Sequence, residues 1–253
     1  MANTLCHRLC VGCLFLCTLF GQVARAQDNT LSLSIGYRQM QETLNQSFIF
    51  RGPSLSLSYR RTVFSDTIVH INYSPDLSFS GMFSHRMPAY SLSFRPVDFA
   101  CTCPVFTSPA WDLRLGGSVW AYYDWRIYPA QHASQLFAYG EYTLAFRADV
   151  SCRTPKHLFN LSWSNSLLGF TSLTDTYADW FYSFRFRDFL AEPHRNLRFG
   201  SFERYDHTHI ALTWQPEALH GNAFAVECNY ILCRTQSIVY QSLVLNAVWR
   251  KSF

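Results

Sequence analysis

Residues 31–38 read Leu-Ser-Leu-Ser-Ile-Gly-Tyr-Arg, and residues 54–60 read Ser-Leu-Ser-Leu-Ser-Tyr-Arg. In both, a large apolar side chain takes every second position and a small or charged one lies between. A period of two belongs to a β-strand with one oily and one polar face. The alternation recurs over 69–73, 90–94, 113–119, 142–146, 159–163, 180–186, 197–199, 210–214, 224–230 and 243–249, which predicts about twelve strands. Turn chemistry follows them at Ser65-Asp66, Pro96, Pro129, Thr154-Pro155, Glu192-Pro193, Pro216 and His220-Gly221-Asn222. No segment of a dozen residues carries a helical period, so almost no helix is expected.

The 253 residues are 49% hydrophobic, 17% aromatic and 15% charged, a balance that excludes a disordered chain or a coiled coil. The amino terminus reads as an export signal over residues 1–26: His7 and Arg8, an apolar run from Leu9 to Phe20, then Ala24-Arg25-Ala26 with cleavage expected before Gln27. Beyond it no apolar run reaches the roughly 18 to 20 residues of a membrane helix. Of the 21 basic residues the leader holds Arg8 and Arg25 and no acid, which leaves 19 against 17, a balance of +2. No charge argument for nucleic-acid binding survives.

Alternation alone suits a soluble sandwich as well. Three features favour a closed antiparallel transmembrane β-barrel over residues 27–253. The strands at 112–124 and 135–148 exceed sandwich lengths and suit a bilayer crossing. Aromatic residues fall near both ends of the oily faces: Tyr59, Trp111, Phe146, Phe159, Phe186, Trp214 and Trp249 toward one end, Tyr37, Tyr73, Tyr123 and Trp180 toward the other. An even strand number brings both termini back to the periplasmic side, with 61–66 and 149–155 as short inner turns and 39–52 and 165–178 as longer outer loops.

The last strand, with Leu243, Leu245, Ala247, Trp249 and terminal Phe253 on one face, resembles the signal by which bacterial barrel-assembly machinery recognises outer-membrane proteins; Lys251 departs from that pattern. Tyr- and Arg-rich strands without a lipoprotein site look like the small outer-membrane barrels of Bacteroidetes-type bacteria. The resemblance implies outer-membrane lipid and the assembly machinery as partners. It covers the architecture and brings no activity with it.

Parity opposite to the oily face turns Arg60, Arg95, Arg114, Arg126, Arg147, Arg185, Arg187, Arg198 and Arg250 toward the axis, against Asp112, Asp124, Glu141 and Glu227. This cationic face makes either a small anion-favouring pore or a closed polar core of paired charges. An outer-leaflet lipid hydrolase is the rival from another class, because outer-membrane phospholipase A sets Ser, His and Asn on the outside of a barrel of about this size. His132 and Ser134 have its two-residue spacing. However, a turn at 149–155 would put Ser134 opposite Phe170, with Asn165 about 17 Å away, and the surrounding motif is absent. A third reading is a scaffold that engages partners through the outer loops.

His207 and His209 share the inward face, but a metal site needs further ligands, and Glu203 and Asp175 are only loop candidates. No cofactor motif is present. Five cysteines follow the leader: Cys101 and Cys103, assigned to one inner turn, Cys152, assigned to the next and able to pair with either, and Cys228 and Cys233, separated by parity.

Overall fold

A computed structural model describes residues 29–43, 48–65, 69–85, 87–129, 135–174, 190–194, 196–202, 204–219, 221–235 and 238–253. Its strands are β1 (Asn29–Glu42), β2 (Ile49–Ser65), β3 (His70–Tyr73), β4 (Asp76–Ser84), β5 (Met87–Thr107), β6 (Trp111–Tyr128), β7 (Gln135–Arg153), β8 (His157–Leu173), β9 (Arg198–Ser201), β10 (Tyr205–Pro216), β11 (Asn222–Arg234) and β12 (Val239–Ser252). All pairings are antiparallel, and β1 pairs both β2 and β12, so the sheet closes on itself. Closure leaves none of the open edges that invite mispairing.

Among the described residues ten strands form the ring, and the short β3 and β9 stand outside that count. This corrects the expectation of about twelve. The stretch 69–73 is not a full crossing: β3 pairs only Arg61–Ser65 of β2, the chain steps through Ser74-Pro75, and β4 continues upward beside the rest of β2. Tyr73 therefore lies toward the end that carries the termini, not at the far rim. Similarly, β9 adds four residues to β8 above the point where β10 takes over. Segment 180–186 lies outside the described residues.

Other expectations shift for one reason: strands continue through polar residues that read as turns. Pro96 sits in a register shift inside the continuous β5, because a bulge accommodates its missing N–H. Asp149 and Ser151 belong to β7, which runs to Arg153, so Tyr142 and not Ser134 faces Phe170. β1 and β2 extend into 39–52, leaving a shorter connection there than expected, and β8 continues through 165–173. Cys101 and Cys103 lie within β5 with exposed side chains, and strand β6 separates them from Cys152; all five described cysteines are free.

The oily alternation points outward all round the ring. Ile35 is 65% and Val226 63% exposed, and Leu33, Leu57, Leu212 and Leu245 are comparable, so the apolar surface covers the wall instead of filling a core. The two chain ends meet: Phe253 N donates to Asn29 O at 2.9 Å. A short helical turn, Glu192–His194, lies against the outside of β7, and the Pro193 carbonyl occupies the space a Cβ at Gly140 would need. There His194 Nδ1 is 2.5 Å from the Tyr142 hydroxyl, which also accepts from Tyr123 at 3.1 Å.

Candidate functional site: the barrel interior

Alternation gives the interior whatever the outer wall rejects: Ser, Thr, Arg, acids and tyrosines. At the end away from the termini the lumen is full. Met40, Phe50, Met82, Tyr128, Phe137, Ile231 and Ile238, all at most 2% exposed, pack from opposite strands into a cap. Close-packed side chains leave no aqueous path there among the described residues.

Below and within this cap runs a charged network that spans the bore. Arg38 Nη2 donates to Asp124 Oδ2 at 2.7 Å, Tyr240 donates to the same oxygen at 2.8 Å, and Ser91 and Ser93 donate to Oδ1 at 2.5 and 2.9 Å. Arg38 Nε reaches Ser242 at 3.1 Å. Arg126 lies 3.2 Å from Glu42 and 3.9 Å from Asp124, and its guanidinium sits 4.1 Å over the Tyr240 ring. Its N–H groups are not aligned for hydrogen bonds, so charge and ring face hold it. Tyr128 donates to Glu42 at 3.1 Å. The neighbouring strands β1 and β12 thereby meet the neighbouring strands β5 and β6 across the closed barrel.

A second network crosses the side formed by β6, β7, β10 and β11. Glu141 accepts from Trp120 Nε1 and the Tyr139 hydroxyl at 2.5 Å each and lies 2.5 Å from His207 Nδ1. His207 Nε2 lies 2.6 Å from Asn229 Oδ1. Both Glu141 oxygens and both His207 ring nitrogens are engaged, as buried polar groups require.

Toward the termini the bore opens into a polar vestibule with a cavity of ≈ 90 Å³ whose lining includes Arg60, Arg95, Arg147, His209, Asp76 and Glu227. Arg95 pairs with Asp98 at 3.2 Å and Arg147 with Asp149 at 3.0 Å; Arg250 pairs with Glu227, with His209 3.9 Å from the same carboxylate. Exposure grows toward this rim, where Arg114 and Asp112 pair at 2.7 Å with side chains 17% and 28% exposed.

Of the sequence candidates, Arg60, Arg95, Arg114, Arg126, Arg147, Arg250, Asp112, Asp124, Glu141 and Glu227 all face the axis, most of them in pairs. Arg198 stands exposed at the far rim on β9. Arg185, Arg187, His132, Ser134, Glu203 and Asp175 lie outside the described residues. His207 and His209 both point inward yet serve different carboxylates, and no cluster of three metal-ligating side chains occurs among the described residues. Tyr205 is fully buried inside the bore. Asn165 does face outward, where its Nδ2 donates to Asp206 at 2.9 Å and Thr208 at 2.6 Å. Trp249 faces outward and donates to Asn222 at 3.2 Å, and Phe253 is 71% exposed. Arg38, Ser91, Ser93 and Tyr240 were missed. Arg38 ends the alternating run 31–38, and its parity was the signal available for it.

Among the described residues, fold and site together define a closed ten-stranded β-barrel with an apolar outer wall and a polar interior that buried apolar side chains fill at one end. Among solved structures, the chain is similar to the outer membrane protease OmpT from Escherichia coli, at 8% identity and TM-score 0.48 over 92% of this chain and 100% of that one. It is similar also to the β domain of the Bordetella autotransporter BrkA, at 10% identity and TM-score 0.44 over 90% and 100%. A third is an outer membrane channel from Pseudomonas putida F1, at 9% identity and TM-score 0.41 over 92% and 98%. At these scores none carries an argument about what this chain does. No family model and no curated protein matches the sequence.

Proposed function

We propose that the chain is a bacterial outer-membrane β-barrel, exported by residues 1–26, with both termini in the periplasm and a lumen closed near its outer face. It acts as a structural or accessory barrel instead of a continuous anion pore. The observation that carries this reading is the cap of fully buried inward side chains from Met40 to Ile238, underlain by the Arg38–Asp124 network. The exposed oily wall supports a lipid environment, because a water-facing surface of this kind is unusual for a soluble monomer. Trp249 and Phe253 are the residues the assembly machinery would read. Asn165 is bonded to Asp206 and Thr208, which leaves the hydrolase reading without a free orienting amide.

The test is conductance of the purified mature chain in a planar bilayer. The closed barrel gives no long-lived ohmic step. A sustained conductance whose anion preference falls with Arg60→Glu and Arg147→Glu establishes the pore instead.

A further inference from the structure

The vestibule holds charges that the protein does not pair, and they stand on neighbouring strands. Of the cavity lining, Arg95, Arg147 and Glu227 each have an ionic partner. Arg60 and Asp76 are in no ion pair with a described residue; the Asp76 carboxylate takes the Leu77 backbone N–H, and Arg95 is the cation that acts most strongly on it. Two further donors end at the same cavity with no partner: Arg95 Nε and Ser118 Oγ, both buried. Ser58 pairs with Asp76 across β2 and β4, so Arg60 lies one alternation further along the same inward face. Diagonal neighbours of that kind are about 7–8 Å apart at the backbone, yet the two side chains form no ion pair with each other, which leaves both free to act on one small molecule between them.

We propose that this vestibule binds a small zwitterion of the α-amino acid class, its carboxylate on Arg60, Arg95 Nε and Ser118 and its ammonium on Asp76. This rests on the reading above that the bore opens at the end carrying the termini. A plain anion would satisfy Arg60 but meet Asp76 with nothing to offer, and a plain cation would do the reverse. A molecule with no net charge and both poles satisfies each unpaired group, including the buried Arg95 Nε and Ser118 Oγ, for which burial without a partner is costly. The cavity of ≈ 90 Å³ has room for several waters, which is enough for a small zwitterion such as glycine or alanine.

The experiment is calorimetric titration of the full mature chain, folded in detergent micelles, with glycine, L-alanine, acetate, methylammonium and inorganic phosphate. Trp120, in the cavity wall, supplies a fluorescence readout. Glycine should bind saturably and at least tenfold tighter than acetate or methylammonium. Arg60→Gln and Asp76→Asn should each weaken it at least tenfold, and Ser118→Ala by less, while circular dichroism and heat-dependent gel migration confirm the barrel. Arg60→Lys keeps the charge and should retain part of the affinity. No saturable binding, equal binding of acetate or phosphate, or folded variants with unchanged affinity would overturn the proposal. Glycine binding to a barrel that conducts would refute closure alone; a silent barrel that ignores glycine would refute this site alone.

Discussion

Replacing Asp124 with Ala removes the acceptor on which the upper network converges. Its two oxygens take Arg38, Tyr240, Ser91 and Ser93, and Arg126 stands 3.9 Å away, all of it in the wholly buried bore. The variant leaves Arg38 with no carboxylate partner and Arg126 with Glu42 alone. Breaking a buried pair by deleting one partner costs about 3–5 kcal/mol. With a urea slope of about 2 kcal/mol per molar, a loss of about 4 kcal/mol lowers the midpoint by about 2 M. The assay is urea unfolding of the barrel in lipid vesicles, followed by tryptophan fluorescence. Asp112→Asn is the control, since its pair with Arg114 is partly exposed and worth at most about 1 kcal/mol. Arg38→Met with Asp124→Leu should recover much of the loss, because an apolar pair of similar volume needs no desolvation. A drop for Asp124→Ala no larger than the control's would refute the view that this network holds the bore shut.

Three further outcomes are expected. Gly140→Val should displace the turn at Glu192–His194, where the Pro193 carbonyl fills the space a side chain needs, and so raise protease cleavage around 190–194 without loss of the barrel. Glu141→Ala strips the acceptor from Trp120, Tyr139 and His207 and should cost at least about 2 kcal/mol in the same urea assay, whereas Glu141→Gln should cost less. Trp249→Ala should slow insertion by purified assembly machinery more than spontaneous folding into detergent, as measured by the appearance of the heat-modifiable band.

The period of two in residues 31–38 and 54–60 sufficed for an all-β barrel with an oily outside, because parity is a local property of the chain. Strand count depended on reading breaks. Gly81 interrupts the outward run Leu77, Phe79 and Phe83, which hid β4, while Asp149 looked like a turn although it pairs with Arg147 inside the bore. Inward residues were legible by the same parity, but their partners were not. Arg38 and Asp124 are 86 residues apart and meet only when the ring closes, so no local spacing announces them. The cap was hidden likewise: Met40, Phe50 and Ile238 reverse the usual polarity of the inward face, a reversal that only their position near the far rim explains.

The most direct measurement is spin-label accessibility in reconstituted bilayers, at single cysteines placed along β1 and β12 in a chain whose native cysteines are Ser. Outward positions 33, 35, 245 and 247 should favour oxygen over a water-soluble nickel chelate, and inward positions 34, 244 and 246 should not, giving a period of two. Equal nickel exposure on both faces, or no alternation, would contradict a barrel whose oily wall meets lipid.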